Sequence, residues 1–284
     1  MPIELPVTTA LKQGASTAYG FWLTFPSSAV ARTILRSAAT SPNGRYSWVL
    51  IDAEHGLISD KDYYELASAI AAEGASPIIR IPWAEEWMIK RALDSGAHGV
   101  LTPMCHTAAD AEKIVAFSKY PVRAGAAAGS KGGSRGYGPL FAIHAFPGVA
   151  AGDDYDASAD SNLMVAVQIE SRQGVENVEA IAAVPGLDAL LIGPFDLALQ
   201  MGVVRGGDEH EAAIQKVLKA CKANGKKAAI FCTSGEQASQ RAAQGFDLVS
   251  VITDVGALGE VMTQQLGVAN GTVKPAGGPV RDGY

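Results

Sequence analysis

At 284 residues, 48% of them hydrophobic, the chain is long enough for one large α/β domain and apolar enough for a sizeable core. Its 23 basic against 29 acidic side chains give a net charge of −6, without the basic stripe of a nucleic-acid binder. The three cysteines, Cys105, Cys221 and Cys232, form no C-x-x-C pair, so neither a disulfide framework nor a zinc knuckle is expected.

No apolar run approaches the ~18 residues of a membrane span. The opening stretch MPIELPVTTALKQG has neither the basic nor the apolar region of a signal peptide. A cytoplasmic, reducing setting with no membrane partner is the expectation.

Short apolar runs alternate with amphipathic stretches along the chain. Strands are predicted at 19–25 (YGFWLTF) and 47–54 (SWVLIDAE), then a helix from Ser59 and Asp60 to about Glu73. Strands follow at 77–82 (PIIRIP) and 99–104 (GVLTPM). A helix from Thr107 to Ser118 opens with a capping pattern, Thr107 and then Asp110. Gly125 to Ser161, with GAAAGSKGGSRGYGP and DDYDASADS, breaks the rhythm and is expected as a long irregular loop.

The alternation then resumes. It runs through strand 163–169 (LMVAVQI), helix Gly174–Ala183, strand 189–194 (ALLIGP), helix Asp208–Asn224, strand 227–232 (KAAIFC), helix Ser234–Gln244 and strand 247–252 (DLVSVI). Gly225 and Gly245 stop two of these helices. Eight strand–helix units imply a parallel sheet closed into a (β/α)₈ TIM barrel spanning residues 1–269. An open doubly wound sheet is the alternative, but no G-x-G-x-x-G follows the first strand. The Gly- and Pro-rich residues 270–284 are expected to form an extended arm.

Strand side chains alternate between faces, and this places the polar residues. In MVAVQIE, Met164, Ala166, Gln168 and Glu170 share the inward face, while Val165, Val167 and Ile169 meet the helices. By the same count Asp52, Glu54 and Arg80 point inward, and Asp196 follows directly on its strand. All lie at the C-terminal ends of strands, the rim where barrel active sites sit.

Taken singly, an inward Asp or Arg reads equally well as a structural ion pair, and His55 before Gly56 as a turn cap. By composition alone Trp22 is a core residue, and Cys105 and His106 are satisfied neighbours. Six ionisable groups at one rim (Asp52, Glu54, His55, Arg80, Glu170 and Asp196) are hard to explain as packing.

The motifs that carry this pattern are IDAEHG (Ile51–Gly56), the Arg80 of IIRIP, SRGYG (Ser134–Gly138), VQIES (Val167–Ser171) and IGPFDLA (Ile192–Ala198). Together they resemble the HpcH/HpaI aldolases, the metal-dependent class II pyruvate aldolases typified by 4-hydroxy-2-oxoheptanedioate aldolase. The resemblance runs from GFWL at Gly20 to the last helix. The tail and SRGYGPLFAIHAF are also similar to the fungal branch that includes macrophomate synthase.

The resemblance implies a barrel of the phosphoenolpyruvate/pyruvate-binding type. Glu170 and Asp196 would be the two protein ligands of a divalent metal, Mg²⁺ or Mn²⁺, with Co²⁺ also admissible. Arg80 would hold the keto or enolate oxygen of pyruvate, with Gln168 and Trp22 among the substrate contacts. Backbone N–H groups around Phe195 and Asp196 would hold the carboxylate. His55 with Asp52 would form the acid/base unit, working through water.

The implied reaction is reversible cleavage of 4-hydroxy-2-oxo acids to pyruvate and an aldehyde, in a hexamer with exchanged C-terminal helices. The sequence departs from the family at Phe195, where many members carry a small residue, and around Arg135, where Gly and Ser replace further basic or Pro residues. Both departures bear on the second substrate.

A Schiff-base aldolase needs a Lys at a strand's end. No predicted strand ends in one, and Lys227 begins a strand, on the wrong rim. Two other functions compete. Decarboxylation of oxaloacetate would use the same enolate chemistry, and a catalytically silent barrel would serve only to bind.

Overall fold

The computed structural model describes residues 3–13, 17–122, 132–149 and 153–274. A short helix, α1 (Pro6–Lys12), precedes β1 (Ala18–Leu23), α2 (Ser28–Ala39), β2 (Trp48–Asp52), α3 (Tyr63–Ala72) and β3 (Ser76–Arg80). Next come α4 (Glu86–Asp94), β4 (Gly99–Thr102) and α5 (Ala108–Ser118). A 3₁₀ turn (Ala142–Ala145) and α6 (Asp153–Asn162) lead into β5 (Met164–Ile169), α7 (Arg172–Glu176), α8 (Val178–Ala182), β6 (Ala189–Ile192) and α9 (Pro194–Met201). The chain goes on through α10 (Asp208–Ala223), β7 (Lys227–Phe231), α11 (Gly235–Ala243), β8 (Leu248–Thr253) and α12 (Asp254–Ala269).

The eight strands pair in parallel, each with the next, and β8 returns to β1 with Leu248 opposite Ala18. This is the closed (β/α)₈ barrel that the sequence predicts, and each strand lies within one or two residues of its expected ends. Side chains fill the interior: Trp48 and Leu50, Ile78, Leu101, Met164 and Ala166, Ala189 and Leu191, Ala229 and Leu248. The alternate residues, among them Val49, Ile51, Ile79, Val165, Val167 and Ile230, are buried under the helices. The next inward position beyond Leu50 is Asp52, beyond Ile78 is Arg80, and beyond Ala166 is Gln168, so the period-2 count carries from the core to the mouth.

The structure corrects the sequence reading in several places. Asp153–Asn162 of the expected loop forms α6, anchored by buried Tyr155 and Ala159. One i, i+4 apolar pair is too little periodicity to announce a helix. The helix expected over 174–183 begins earlier and breaks into α7 and α8 at Asn177, whose side chain donates to the His106 carbonyl at 2.9 Å. The capping box at Thr107 and Asp110 forms as read. The expected arm falls mostly outside the described residues, as do residues 123–131 of the Gly-rich stretch. Among the described residues no helix is long and apolar enough to cross a membrane.

Candidate active site

In the β2–β3 ladder Asp52 stands opposite Arg80. Side chains paired in a parallel ladder point the same way, so the two meet inside the mouth. Arg80 Nε donates to Asp52 Oδ1 at 2.9 Å and Nη2 donates to Oδ2 at 2.7 Å, a bidentate pair. Trp22 Nε1 donates to Oδ2 at 3.1 Å, and the Glu54 and His55 backbone N–H groups donate to Oδ1 at 3.1 and 3.2 Å. Burial would raise the Asp52 carboxyl, but the bonds from Arg80, His55 and Trp22 outweigh it and hold the group below its ordinary value. The remaining Arg80 nitrogen, Nη1, lies 2.9 Å from Glu54 Oε2 and donates to Gln168 Oε1 at 3.4 Å.

Glu170 sits just past the end of β5 and is buried. Its Oε1 accepts from the Met104 backbone N–H at 2.8 Å, and its Oε2 accepts from Gln168 Nε2 at 2.8 Å. Met104 supplies that N–H from a left-handed conformation, φ 54°, unique among the non-glycine residues described. Such strain persists where the surroundings over-determine it. Gly193 completes the floor: a Cβ there would collide with Glu170 Oε2 and stand 3.0 Å from Gln168 Nε2. Burial pushes the Glu170 carboxyl up to about 7; the Met104 N–H and Arg80 oppose the rise, and the negative charges of Glu54 and Asp196 add to it. Burial likewise raises Glu54.

Above this floor opens a cavity of about 330 Å³. Trp22, Phe195 and Phe231 wall it, Asp52, Arg80, Gln168 and Asp196 supply polar groups, and His55, Thr24, Thr233 and Thr253 line its rim. Trp22 packs edge-on against Phe231 at 4.9 Å and stacks under Arg80 at 5.0 Å. Asp196 lies in the first turn of α9, behind Pro194. That turn leaves the Phe195 and Asp196 N–H groups without helical acceptors, which makes an anion-binding end.

The HpcH/HpaI aldolase/citrate lyase family model matches residues 27–259. The chain belongs to this family. It is 33% identical over 255 residues to the hydroxypyruvate/pyruvate aldolase of Paraburkholderia phytofirmans, covering 88% of this chain and 92% of that one. Among solved structures it is similar to an HpcH/HpaI aldolase/citrate lyase family protein from Burkholderia cenocepacia, with TM-score 0.81 and 32% identity over 94% of this chain and 100% of that one. Macrophomate synthase is also similar, with TM-score 0.78 and 25% identity over 94% and 88% of the respective chains. As a member of an aldolase family the protein is an enzyme, a carbon–carbon lyase.

The family raises the question of a metal, and the site's own chemistry bears on it. Asp52 and Glu54 both pair with the single Arg80 guanidinium, while burial raises the Glu170 and Glu54 carboxyls and the neighbouring negative charges, Asp196 among them, add to that rise. The Gly193 cradle keeps space open at Glu170 Oε2. Among the described residues no three His, Cys, Asp or Glu side chains converge on one point. The donor set therefore fits an ion held by two hard carboxylates, with water and substrate completing its shell, and does not fit a closed cage.

The structure brings Trp22, Asp52, His55, Arg80, Gln168, Phe195 and Asp196 together around the cavity, with Glu170 beneath. It does not join Asp52 to the His55 imidazole. Asp52 bonds the His55 backbone, and the ring nitrogen lies 3.8 Å from Glu54 Oε1.

The SRGYG segment lies elsewhere. Arg135 donates to Asp94 at the end of α4 at 2.7 Å, stacks on Tyr120, and its backbone N–H donates to the Lys119 carbonyl at 3.0 Å. Those helix ends lie at the opposite rim, because barrel helices run antiparallel to strands. Cys105 and His106 are satisfied neighbours, His106 Nδ1 sharing a 2.8 Å hydrogen bond with Ser171 Oγ. Phe231, inward two residues after Ala229, was available from the strand count; no sequence signal marks Met104 or Gly193.

Proposed function

We propose that the protein is a divalent-metal-dependent aldolase that reversibly cleaves 4-hydroxy-2-oxo acids to pyruvate and an aldehyde. The observation that carries this is the meeting, around one cavity, of Arg80 pinned by Asp52 with Asp196, and of Glu170 directly beneath, bonded to the lining residue Gln168. Glu170 and Asp196 would hold Mg²⁺ or Mn²⁺, which when bound supplies Lewis-acid polarisation of the 2-oxo group. The Phe195 and Asp196 N–H groups receive the substrate carboxylate. Arg80 stands where negative charge develops on the enolate oxygen, already oriented by Asp52, so it need not reorganise as the charge appears. Gln168 fixes Glu170 through its Nε2 and faces Arg80 through its Oε1.

His55, whose side chain is 64% exposed, hangs over the mouth beside Glu54. We assign it the base, acting through water on the C4 hydroxyl. As that proton leaves, the C3–C4 bond breaks, its electron pair enters the enolate and the aldehyde departs. Trp22, Phe195 and Phe231 keep bulk water from the enolate carbon.

Chelator-treated enzyme should exchange pyruvate C3 protons in D₂O only after Mg²⁺ or Mn²⁺ is restored, and Glu170→Gln or Asp196→Asn should abolish the recovery. Full exchange by either variant would overturn the ligand assignment.

We also propose that the protein is a homo-oligomer, a hexamer by family resemblance, with exchanged C-terminal helices. Asp254 pins the start of α12 to Thr24 and Phe25, after which the helix exposes Val255, Leu258, Val261, Met262 and Leu266. The place beside β8 and β1 between α2 and α11 is instead an open groove lined by Tyr19, Ile34, Ala38, Ala238 and Val251. A second copy's α12 would cover its apolar stripe there. A cytoplasmic location accords with three buried, unpaired cysteines.

A further inference from the structure

The loop between α9 and α10 carries a guanidinium, that of Arg205, with no carboxylate partner among the described residues. Nearby, Arg172 pairs with Glu209 at 3.2 Å and Arg241 with Glu211 at 2.6 Å. Among the described residues Arg205 has no acidic partner. Its Cζ lies 3.8 Å over the Phe195 ring. Stacking of this kind holds a cation in place without neutralising it.

The loop is tied down as well. Gly202 (φ 69°) and Gly206 (φ 82°) take left-handed conformations at its turns. The Gly206 N–H donates to His210 Nδ1 at 3.1 Å, and His210 Nε2 donates to the Pro194 carbonyl at 2.9 Å. An accepting Nδ1 places the ring proton on Nε2, so both bonds are made by one tautomer. His210 thus straps the loop that carries Arg205 to the residues opening α9, where Phe195 and Asp196 line the active site.

On the far side of Phe195 lies a second cavity of about 140 Å³, lined by Arg205, Arg241, His210, Gln237 and Thr233. It shares Pro194, Phe195 and Thr233 with the 330 Å³ active-site cavity. The two are neighbouring compartments across one aromatic wall, and the smaller one offers an unneutralised cation.

We propose that Arg205 is a specificity-determining residue: it binds an anionic group, a carboxylate or a phosphate, at the end of the acceptor aldehyde remote from its reacting carbon. This rests on the aldolase function proposed above. Phe195 then has two tasks, to wall the active-site cavity and to present Arg205 at a fixed place. A planar guanidinium held in this way offers a forked pair of donors to an oxyanion. A neutral aldehyde would leave the fork without a partner.

The test compares matched aldehydes, with kcat/KM for aldol addition to pyruvate as the readout. Succinic semialdehyde is set against butanal, and glyceraldehyde 3-phosphate against glyceraldehyde. The wild type should favour the anionic member of at least one pair, and which pair shows the larger preference identifies carboxylate or phosphate. In Arg205→Gln the anionic-to-neutral ratio should fall roughly tenfold, the fold-change expected for one hydrogen bond between charged groups. Arg205→Glu should carry the ratio below that of Arg205→Gln, and Arg205→Lys should recover part of it. A purely structural role predicts none of that order.

A wild type indifferent to the charge, or ratios unchanged within about twofold in both Arg205→Gln and Arg205→Glu, would overturn the proposal. Failure of the underlying function looks different: the wild type would neither exchange pyruvate C3 protons nor form an adduct with any of the four aldehydes.

Discussion

Asp52→Asn separates two accounts of the same carboxylate. If Asp52 works with the His55 imidazole, its loss should resemble the loss of His55. The geometry instead makes it the positioning residue for Arg80, through bonds at 2.9 and 2.7 Å. An asparagine keeps the shape but sets an NH₂ either against Arg80 Nη2 and Trp22 Nε1 or against Arg80 Nε and two backbone N–H groups. Both orientations oppose donor to donor.

Asp52 is 2% and Arg80 6% exposed, so a buried pair is broken, at a typical cost of ~3–5 kcal/mol. Glu54, 2.9 Å from Nη1, remains as a partial counter-ion and places the expectation at the lower end, about 3 kcal/mol, or a melting midpoint lower by roughly 6–12 °C. A guanidinium released from its fork should also lower kcat by at least ~10-fold, about 1.4 kcal/mol of barrier. The assays are urea unfolding, and turnover of both a 4-hydroxy-2-oxo acid and oxaloacetate. Both reactions pass through the enolate, so both should fall together. Wild-type stability, or loss of aldol cleavage with decarboxylation intact, would refute the positioning role.

His55→Ala should give the complementary pattern: cleavage strongly suppressed and oxaloacetate decarboxylation much less, because losing CO₂ requires no hydroxyl proton to be taken. Equal losses would remove His55 as the base. Gly193→Ala should displace the Glu170 carboxylate and lower Mn²⁺ affinity at least ~10-fold by titration calorimetry, since its Cβ collides with Oε2; unchanged affinity would contradict the cradle.

His98, far from the mouth, should shape acid stability. Burial pushes it from 6.5 down to about 4, so below pH 6.5 the unfolded chain takes up a proton that the folded chain refuses until about pH 4. Its contribution to stability is intact above pH 6.5, falls by about 2 kcal/mol at pH 5 and saturates below pH 4. His98→Asn should remove most of that difference when urea unfolding is compared at pH 7 and pH 5.

What the sequence reveals here follows from how far each rule reaches. Alternation along a strand depends only on neighbours in the chain. It therefore places Asp52, Arg80 and Gln168 at the mouth, and it would have placed Phe231 there too. Which groups then touch depends on distances across strands and loops, and no spacing rule supplies these. The family resemblance, not a spacing rule, implies that Asp52 works with the His55 imidazole. Fivefold hydrogen bonding of Asp52 by Arg80, Trp22 and two backbone N–H groups leaves its oxygens no imidazole to meet.

Arg135 shows the opposite difficulty. A basic residue in a Gly-rich segment resembles an active-site loop, yet it anchors the far rim through Asp94 because the segment leaves the C-terminal end of α5 and not the end of a strand. Met104 and Gly193 stay silent for a third reason. One contributes only a backbone N–H and the other only the absence of a Cβ, so neither side chain advertises a role. Both serve Glu170, the carboxylate that burial lifts furthest toward neutrality among the site's acids. The charged residues of this site can thus be read from pattern, whereas the backbone N–H and the missing Cβ that position Glu170 cannot.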